Sequence, residues 1–308
     1  MQINVLAAAS RIEGQVLRTP LIEARIAGRR VWLKCECLQT GGAFKLRGAT
    51  NRLMAMDEAE RARGVVAFSS GNHAQGVAIA ARRLGMRATI VMPADAPQLK
   101  IDGTRAQGAE IVFYDRRTES REAISAAIAA RTGATVVPSF DDRYIVEGQG
   151  TVGLEIAEQL GGDPPLIAVP VGGGGLAAGI ALACPKSRIL GAEPEGWDDM
   201  ARSLALGEIV PIDADAPPTL CDALQTPRVS PITFDILRDR GATVVAVSDA
   251  EVGAALRWAF DHHQLVVEPG GAAALAAVLS GKAEVEDNMV IVLSGGNVDP
   301  ALHARLVA

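Results

Sequence analysis

From residue 64 onward, short apolar runs rich in β-branched residues alternate with helix-like stretches. "VVAFS" (65–69) leads into "NHAQGVAIAARRLG" (72–85), and "ATIVMP" (88–93) into a helical pattern around 97–107. "AEIVFY" (109–114) precedes "TESREAISAAIAARTG" (118–133), and "TVVPS" (135–139) precedes a helix over 145–160. Then come "LIAVPVGGGG" (166–175) running into an Ala-rich helix, "RILGAEP" (188–194), "TVVAVS" (243–248), helices near 249–262 and 270–280, and "NMVIVLSGG" (288–296). Strands that are apolar on both faces and separated by helices belong in parallel sheets covered on both sides. The expected fold is α/β, with two domains that each hold a mainly parallel sheet flanked by helices. Three or four strand–helix units lie between 64 and 140, so residues 51–140 are expected to form a small domain. Residues 1–50 together with 141–308 would form a large one. The Pro-rich "DADAPPTL" (213–220) reads as a surface loop.

The charge pattern excludes some partners. A net charge of −6, no basic run of five or more and an aromatic share of 4% argue against nucleic acid and against an anionic membrane surface. The longest apolar runs, such as "GGLAAGIALAC", fall short of the roughly 18–20 residues of a spanning helix. The opening "MQINVLAAASRIEG" has no basic n-region, and Arg11 and Glu13 interrupt it, so it does not read as a signal peptide. Four cysteines in 308 residues do not make a disulfide framework. Cys35 and Cys37 are expected to share one face of the strand "VWLKCEC" as reduced thiols. A soluble, cytoplasmic chain is expected.

Three glycine turns follow strands: "SSGNHAQG" (69–76), "VGGGGLAAG" (171–179) and "LSGGN" (293–297). Ligands of open α/β sheets bind beyond the carboxyl ends of strands, where such turns sit. Four glycines between a buried strand and a helix let main-chain N–H groups approach an anion, and the helix start adds partial positive charge. The flanks of the tetraglycine are core-like, which favours a phosphate cradle over a flexible linker. The pattern is neither GxxxxGK[ST] nor GxGxxG, so a phosphate is indicated and a nucleotide is not. Ser69, Ser70, Asn72 and His73 crowd one turn around Gly71, as a carboxylate site would need. A structural helix cap explains any one of them equally well. In "TGGAFKLRGATN" (40–51), Lys45 stands where a turn enters a helix, either as a surface charge or as a reactive amine. Glu193, Glu195, Asp198 and Asp199 cluster in "GAEPEGWDDM", either as ligands for a hard cation or as a solvated loop; composition alone favours the loop.

Taken together and in order, "TPL" (19–21), "LKCECLQTGGAFKLRGATN", "SSGNHAQGVA", "EGQGT" (147–151), "VGGGGL" and "LSGGN" resemble the fold-type II pyridoxal-phosphate enzymes. Their tryptophan synthase β-like fold, and within it the threonine/serine dehydratase and serine racemase branch, matches from about Thr19 to Asn297. The resemblance implies that Lys45 forms the Schiff base with pyridoxal 5'-phosphate. Gly172, Gly173, Gly174 and Gly175, followed by Leu176, would cradle its phosphate. Asn72 would bind the ring hydroxyl and Ser294 would face the pyridine nitrogen. Ser69, Ser70, Gly71, Asn72 and His73 would hold the substrate carboxylate, with Ser70 opposite Lys45 as a proton relay. Glu193, Asp199 and the carbonyl of Trp197 would bind Mg²⁺ or Ca²⁺. A homodimer is implied as well.

A neutral hydroxyl at Ser294 stabilises a pyridinium less than a carboxylate would, which suits rapid loss of a β-substituent. The expected activity is therefore α,β-elimination from L-threonine or L-serine, giving a 2-oxo acid and ammonia, with Lys45 as general base. Serine racemisation and dehydration of 3-hydroxyaspartate are the alternatives, and a non-catalytic binding protein of the same fold is a third. Ala43 and Gly270 stand where the family commonly has serine, and Glu147 replaces a usual small residue. Arg121 is either an exposed helix charge or the partner of a second substrate carboxylate, as in 3-hydroxyaspartate. About eleven residues follow "LSGGN", too few for a regulatory domain of the kind that brings isoleucine feedback.

Overall fold

The computed structural model describes residues 3–69, 71–96, 98–213 and 215–308. Its strands are β1 (Leu21–Ile26), β2 (Arg29–Cys35), β3 (Val65–Phe68), β4 (Ala88–Pro93), β5 (Glu110–Tyr114), β6 (Thr135–Val136), β7 (Leu166–Pro170), β8 (Arg188–Pro194), β9 (Thr243–Val247) and β10 (Val290–Leu293). They form two sheets, one of six strands in the order β1-β2-β10-β7-β8-β9 and one of four in the order β5-β4-β3-β6. Every strand pair is parallel except β1 with β2. Two mainly parallel sheets flanked by helices agree with the expected α/β class.

The antiparallel exception was not legible as a strand. β1 alternates charged and apolar residues on the sheet edge, and its hairpin closes through Ala27 and Gly28 at φ +50° and +78°. Two successive left-handed residues give the twist a two-residue hairpin requires. β2 ends at Cys35, and Glu36–Leu38 form a short 3₁₀ turn, so Cys37 does not continue the strand as expected. All four cysteines are buried and unpaired. Helices Val5–Ile12, Asp199–Leu206, Pro231–Asp239 and Pro300–Val307 are additions to the elements read from the sequence.

The central strands carry the core. All five residues of β7 and all four of β10 are buried. Helix Lys45–Met54 packs on both Asn72–Arg83 and Arg143–Leu160, joining the layers of the two sheets. The closeness of that last contact explains a motif: a Cβ on Gly148 would lie 2.6 Å from Gly48 Cα. The glycine of "EGQGT" serves helix packing. Among the described residues, no helix is long and apolar enough to cross a membrane.

Candidate active site

Six helices start at one cavity of about 340 Å³: those beginning at Arg121 and Pro231, which Ser120 and Ser230 cap, and those beginning at Lys45, Asn72, Gly175 and Pro269. Among the described residues, none of the last four starts has a side-chain N-cap bond, whereas seven helices of the chain do. The first N–H groups of a helix have no partner within it, so uncapped starts leave donors for a ligand.

Lys45 is positioned through the neighbouring segment. Phe44 N–H donates to the Ser294 carbonyl at 3.2 Å, Ala43 bridges Gly295, and Gly296 N–H donates to the Gly42 carbonyl at 2.8 Å. The "TGG" and "SGG" turns are thus tied together, which places Lys45 and Ser294 on one cavity wall. Lys45 Nζ donates to the Ser139 carbonyl at 3.0 Å. Burial lowers the Lys45 amine to about 8, against the opposing pull of Glu268. Such an amine is neutral in an appreciable fraction near neutral pH and able to act as a nucleophile or base.

Gly172–Gly175 line the same cavity. Gly174 is left-handed at φ +84°, and a Cβ on Gly173 would sit 2.3 Å from the Phe140 ring. Only main chain fits here, directly before the nine-residue helix Gly175–Ala183. Uncapped donors with no side chain in the way fit a phosphate, and an amine of lowered pKa in the same cavity fits an aldehyde. The residues present therefore suit pyridoxal phosphate.

At the second turn, Gly71 caps helix Asn72–Arg83 without a side-chain bond, and Ser69 Oγ accepts from Gly71 N–H at 3.2 Å. Ser70 lies outside the described residues. The His73 ring lines the cavity and is held by the main chain: its Nε2–H donates to the Val137 carbonyl at 2.9 Å, and Nδ1 is an acceptor with no partner among the described residues. Burial and the nearby Lys45 hold this imidazole neutral, with its pKa near 3. Arg121 does reach the cavity; its guanidinium lies 5.3 Å over the Phe68 ring and donates to Glu122 at 2.9 Å.

Several charged residues of the cavity were missed from sequence, among them Glu268, Lys100 and Asp222. Glu268 is buried, its Oε1 accepts from Asn72 Nδ2, and its carboxyl is raised to about 7 by burial. Lys100 is buried and forms an ion pair with Asp222 at the cavity. Only "VEPGG", beside the quoted Gly270, hinted at Glu268; Lys100 lies in an ordinary amphipathic helix.

The acidic loop sits away from the cavity wall. Glu193 accepts from Met200 N–H at 3.1 Å and Ala201 N–H at 2.9 Å, so it caps helix Asp199–Leu206. Burial raises Asp199 to about 7, and its Oδ2 has no partner among the described residues. Trp197 Nε1 donates to the Pro217 carbonyl at 2.8 Å. Among the described residues, no group of three or more His, Cys, Asp or Glu side chains is arranged to hold a metal.

A lysine of lowered pKa facing a phosphate cradle and a carboxylate-sized turn, all between two parallel sheets, defines a phosphate-cofactor enzyme that works through an amine. Residues 12–295 match the family described as pyridoxal-phosphate dependent enzyme, and the chain belongs to it. It is 45% identical to an L-threo-3-hydroxyaspartate ammonia-lyase from Pseudomonas sp, over 99% of this chain and 97% of that one. It is 40% identical to an L-threo-3-hydroxyaspartate ammonia-lyase from Saccharomyces cerevisiae, over 99% and 95%. The solved structure of maize serine racemase superposes with a TM-score of 0.92 at 37% identity, covering 98% of this chain and 94% of that one.

Proposed function

We propose that the chain is a pyridoxal-phosphate ammonia-lyase for a β-hydroxy amino acid, with L-threo-3-hydroxyaspartate as the substrate its cavity suits best. Lys45 carries the reading: it is the cavity amine held near pKa 8, beside the glycine cradle. The dicarboxylate preference is supported by Arg121 on the same cavity and by the similarity to the two lyases.

Pyridoxal phosphate, when bound, supplies an aldehyde for amines and an electron-poor ring that takes up the electron pair left at Cα. Main-chain N–H groups of Gly172–Gly175 and Leu176 would hold its phosphate, Asn72 its ring hydroxyl and Ser294 its pyridine nitrogen. Lys45 takes the Cα proton as general base. Ser69 and the main chain of Gly71, Asn72 and His73 hold the α-carboxylate at an uncapped helix start. The resemblance gives Ser70 a share in this and the proton relay opposite Lys45. Arg121 orients the second carboxylate. The Cβ–O bond breaks and the hydroxyl leaves as water after gaining a proton; water then hydrolyses the dehydrated amino acid to a 2-oxo acid and ammonia. A neutral Ser294 favours this quick expulsion over reactions that need long-lived charge at Cα.

L-Threonine and L-serine remain the second reading, and serine racemisation, supported by the likeness to the maize enzyme, uses the same residues. A panel of these substrates separates the readings when ammonia, 2-oxo acid and enantiomer ratio are measured together, with Mg²⁺ and with EDTA. The two arms also test the cation that the resemblance places at Glu193, Trp197 and Asp199; the orphaned Asp199 oxygen supports it. A chain that takes up pyridoxal phosphate but acts on none of the panel refutes the proposal. The homodimer and the cytoplasmic location belong to the same reading.

A further inference from the structure

Asn72 is held from both sides by a chain of amides whose direction chemistry dictates. Asn297 Nδ2 lies 2.8 Å from the Gly41 carbonyl and 2.8 Å from Asn72 Oδ1. A main-chain carbonyl only accepts, so the NH₂ end of Asn297 must face it. That NH₂ also donates to Asn72, whose oxygen is thereby the accepting end. The NH₂ of Asn72 is then turned toward Glu268, and it donates to Oε1. Glu268 Oε2 has no partner among the described residues, although the side chain is only 1% exposed and lines the cavity.

Two glycines leave room for this chain. A Cβ on Gly295 would stand 1.9 Å from Glu268 Oε1, and one on Gly42 would stand 2.2 Å from Asn297 Oδ1. The glycine pairs of "TGG" and "SGG" therefore do more than turn the backbone.

We propose that Asn297 and Glu268 are positioning residues, which lock the Asn72 amide with its NH₂ toward the cavity and ready to donate to an oxygen of the bound cofactor. This rests on the cofactor reading above. The alternative flip would present a carbonyl oxygen to the ring hydroxyl and set the Asn72 NH₂ against the NH₂ of Asn297, whose oxygen is turned the other way. Around Glu268, the charged groups that face it are Lys100, from a helix, Asp222, from a 3₁₀ turn, and Lys45. Burial dominates over them and holds the carboxyl near 7, so its charge changes near neutral pH.

The test is a titration of the full-length, cofactor-stripped chain with pyridoxal 5'-phosphate, followed by visible absorbance from pH 5.5 to 9. Asn297→Asp cannot donate to Gly41 or Asn72, and is expected to weaken cofactor binding by about 10- to 100-fold, the effect of leaving a buried polar group without its partner. Glu268→Gln keeps an acceptor for Asn72 in the same volume. It is expected to bind the cofactor within about threefold of the parent while losing an absorbance step centred near pH 7, and Glu268→Leu to lose binding as well. Melting curves of the stripped variants separate folding from binding. If Asn297→Asp binds like the parent, or if the absorbance profile of Glu268→Gln superimposes on the parent's, the proposal is wrong. A parent that takes up no pyridoxal phosphate overturns the cofactor reading instead.

Discussion

Arg47 and Glu36 meet as a two-pronged ion pair with neither side chain exposed, Nε donating to Oε2 and Nη2 to Oε1, each at 2.8 Å. Glu155 accepts from Arg47 Nη1 at 2.6 Å and Nη2 at 2.9 Å, and from Lys34 Nζ at 2.6 Å. Burial raises the Glu36 carboxyl, and Arg47 with Lys34 more than offsets it, holding the group below its ordinary value. The cluster anchors the first turn of helix Lys45–Met54, two residues from the reactive amine. Arg47→Ala leaves Glu36 buried and unpaired and is expected to cost about 3–5 kcal/mol in urea unfolding. Arg47→Lys loses the fork and recovers only part of that.

Cofactor uptake should follow the ionisation of Lys45. Only the neutral amine attacks an aldehyde, so the rate at which stripped protein takes up pyridoxal phosphate should rise with pH and level off above about 8. Stopped-flow absorbance measures this. A rate independent of pH between 6 and about 8 would contradict the lowered pKa.

Gly173→Ala should weaken cofactor retention. Its Cβ would collide with the Phe140 ring at 2.3 Å, and moving that ring disturbs the cradle. The expected loss of affinity is at least about tenfold by equilibrium dialysis, an effect of more than about 1.4 kcal/mol. Inorganic phosphate should compete with the cofactor in the parent and bind poorly to the variant.

Arg121→Met should separate substrates. With 3-hydroxyaspartate the second carboxylate loses its partner, and kcat/KM should fall about 10- to 1000-fold, the range for a charge-assisted contact. With L-serine or L-threonine the change should stay within about threefold. Equal losses on all three substrates would mean that Arg121 supports the fold rather than the choice of substrate.

Glu268 should leave a mark on stability as well. Its carboxyl rises from 4.5 to about 7 on folding, so the folded chain holds the proton more tightly than the unfolded one. The associated stability is fully present below pH 4.5 and is lost as pH rises through about 7. Denaturant unfolding of stripped Glu268→Gln should therefore gain on the parent between pH 5 and 8, by up to about 3 kcal/mol. A pH-independent difference between the two would place the raised carboxyl in doubt.

The strand–helix alternation, the glycine cradle and the candidate lysine are all local signals. Strands such as "LIAVP" are apolar because both faces are covered, and a tetraglycine before a helix is anomalous within a few residues. Sequence alone therefore determined the α/β class and the glycine turns that meet at the cavity, though not the turn Asp222–Leu224 or the helix Pro231–Asp239 that also line it. It could not show that the Asn72 amide is set by Glu268, 196 residues away, and by Asn297, 225 away. Nor could it show that Lys100 meets Asp222 across 122 residues. The β1 edge, whose partner is the next strand, escaped because a half-exposed edge carries no continuous apolar run. Likewise, the His73 side chain is committed to a main-chain carbonyl on a different strand connection, which its place in the motif does not reveal. Local periodicity reflects burial, which each residue experiences for itself. Hydrogen-bond direction and ionisation depend on which distant groups share a site, and only the tertiary structure decided that.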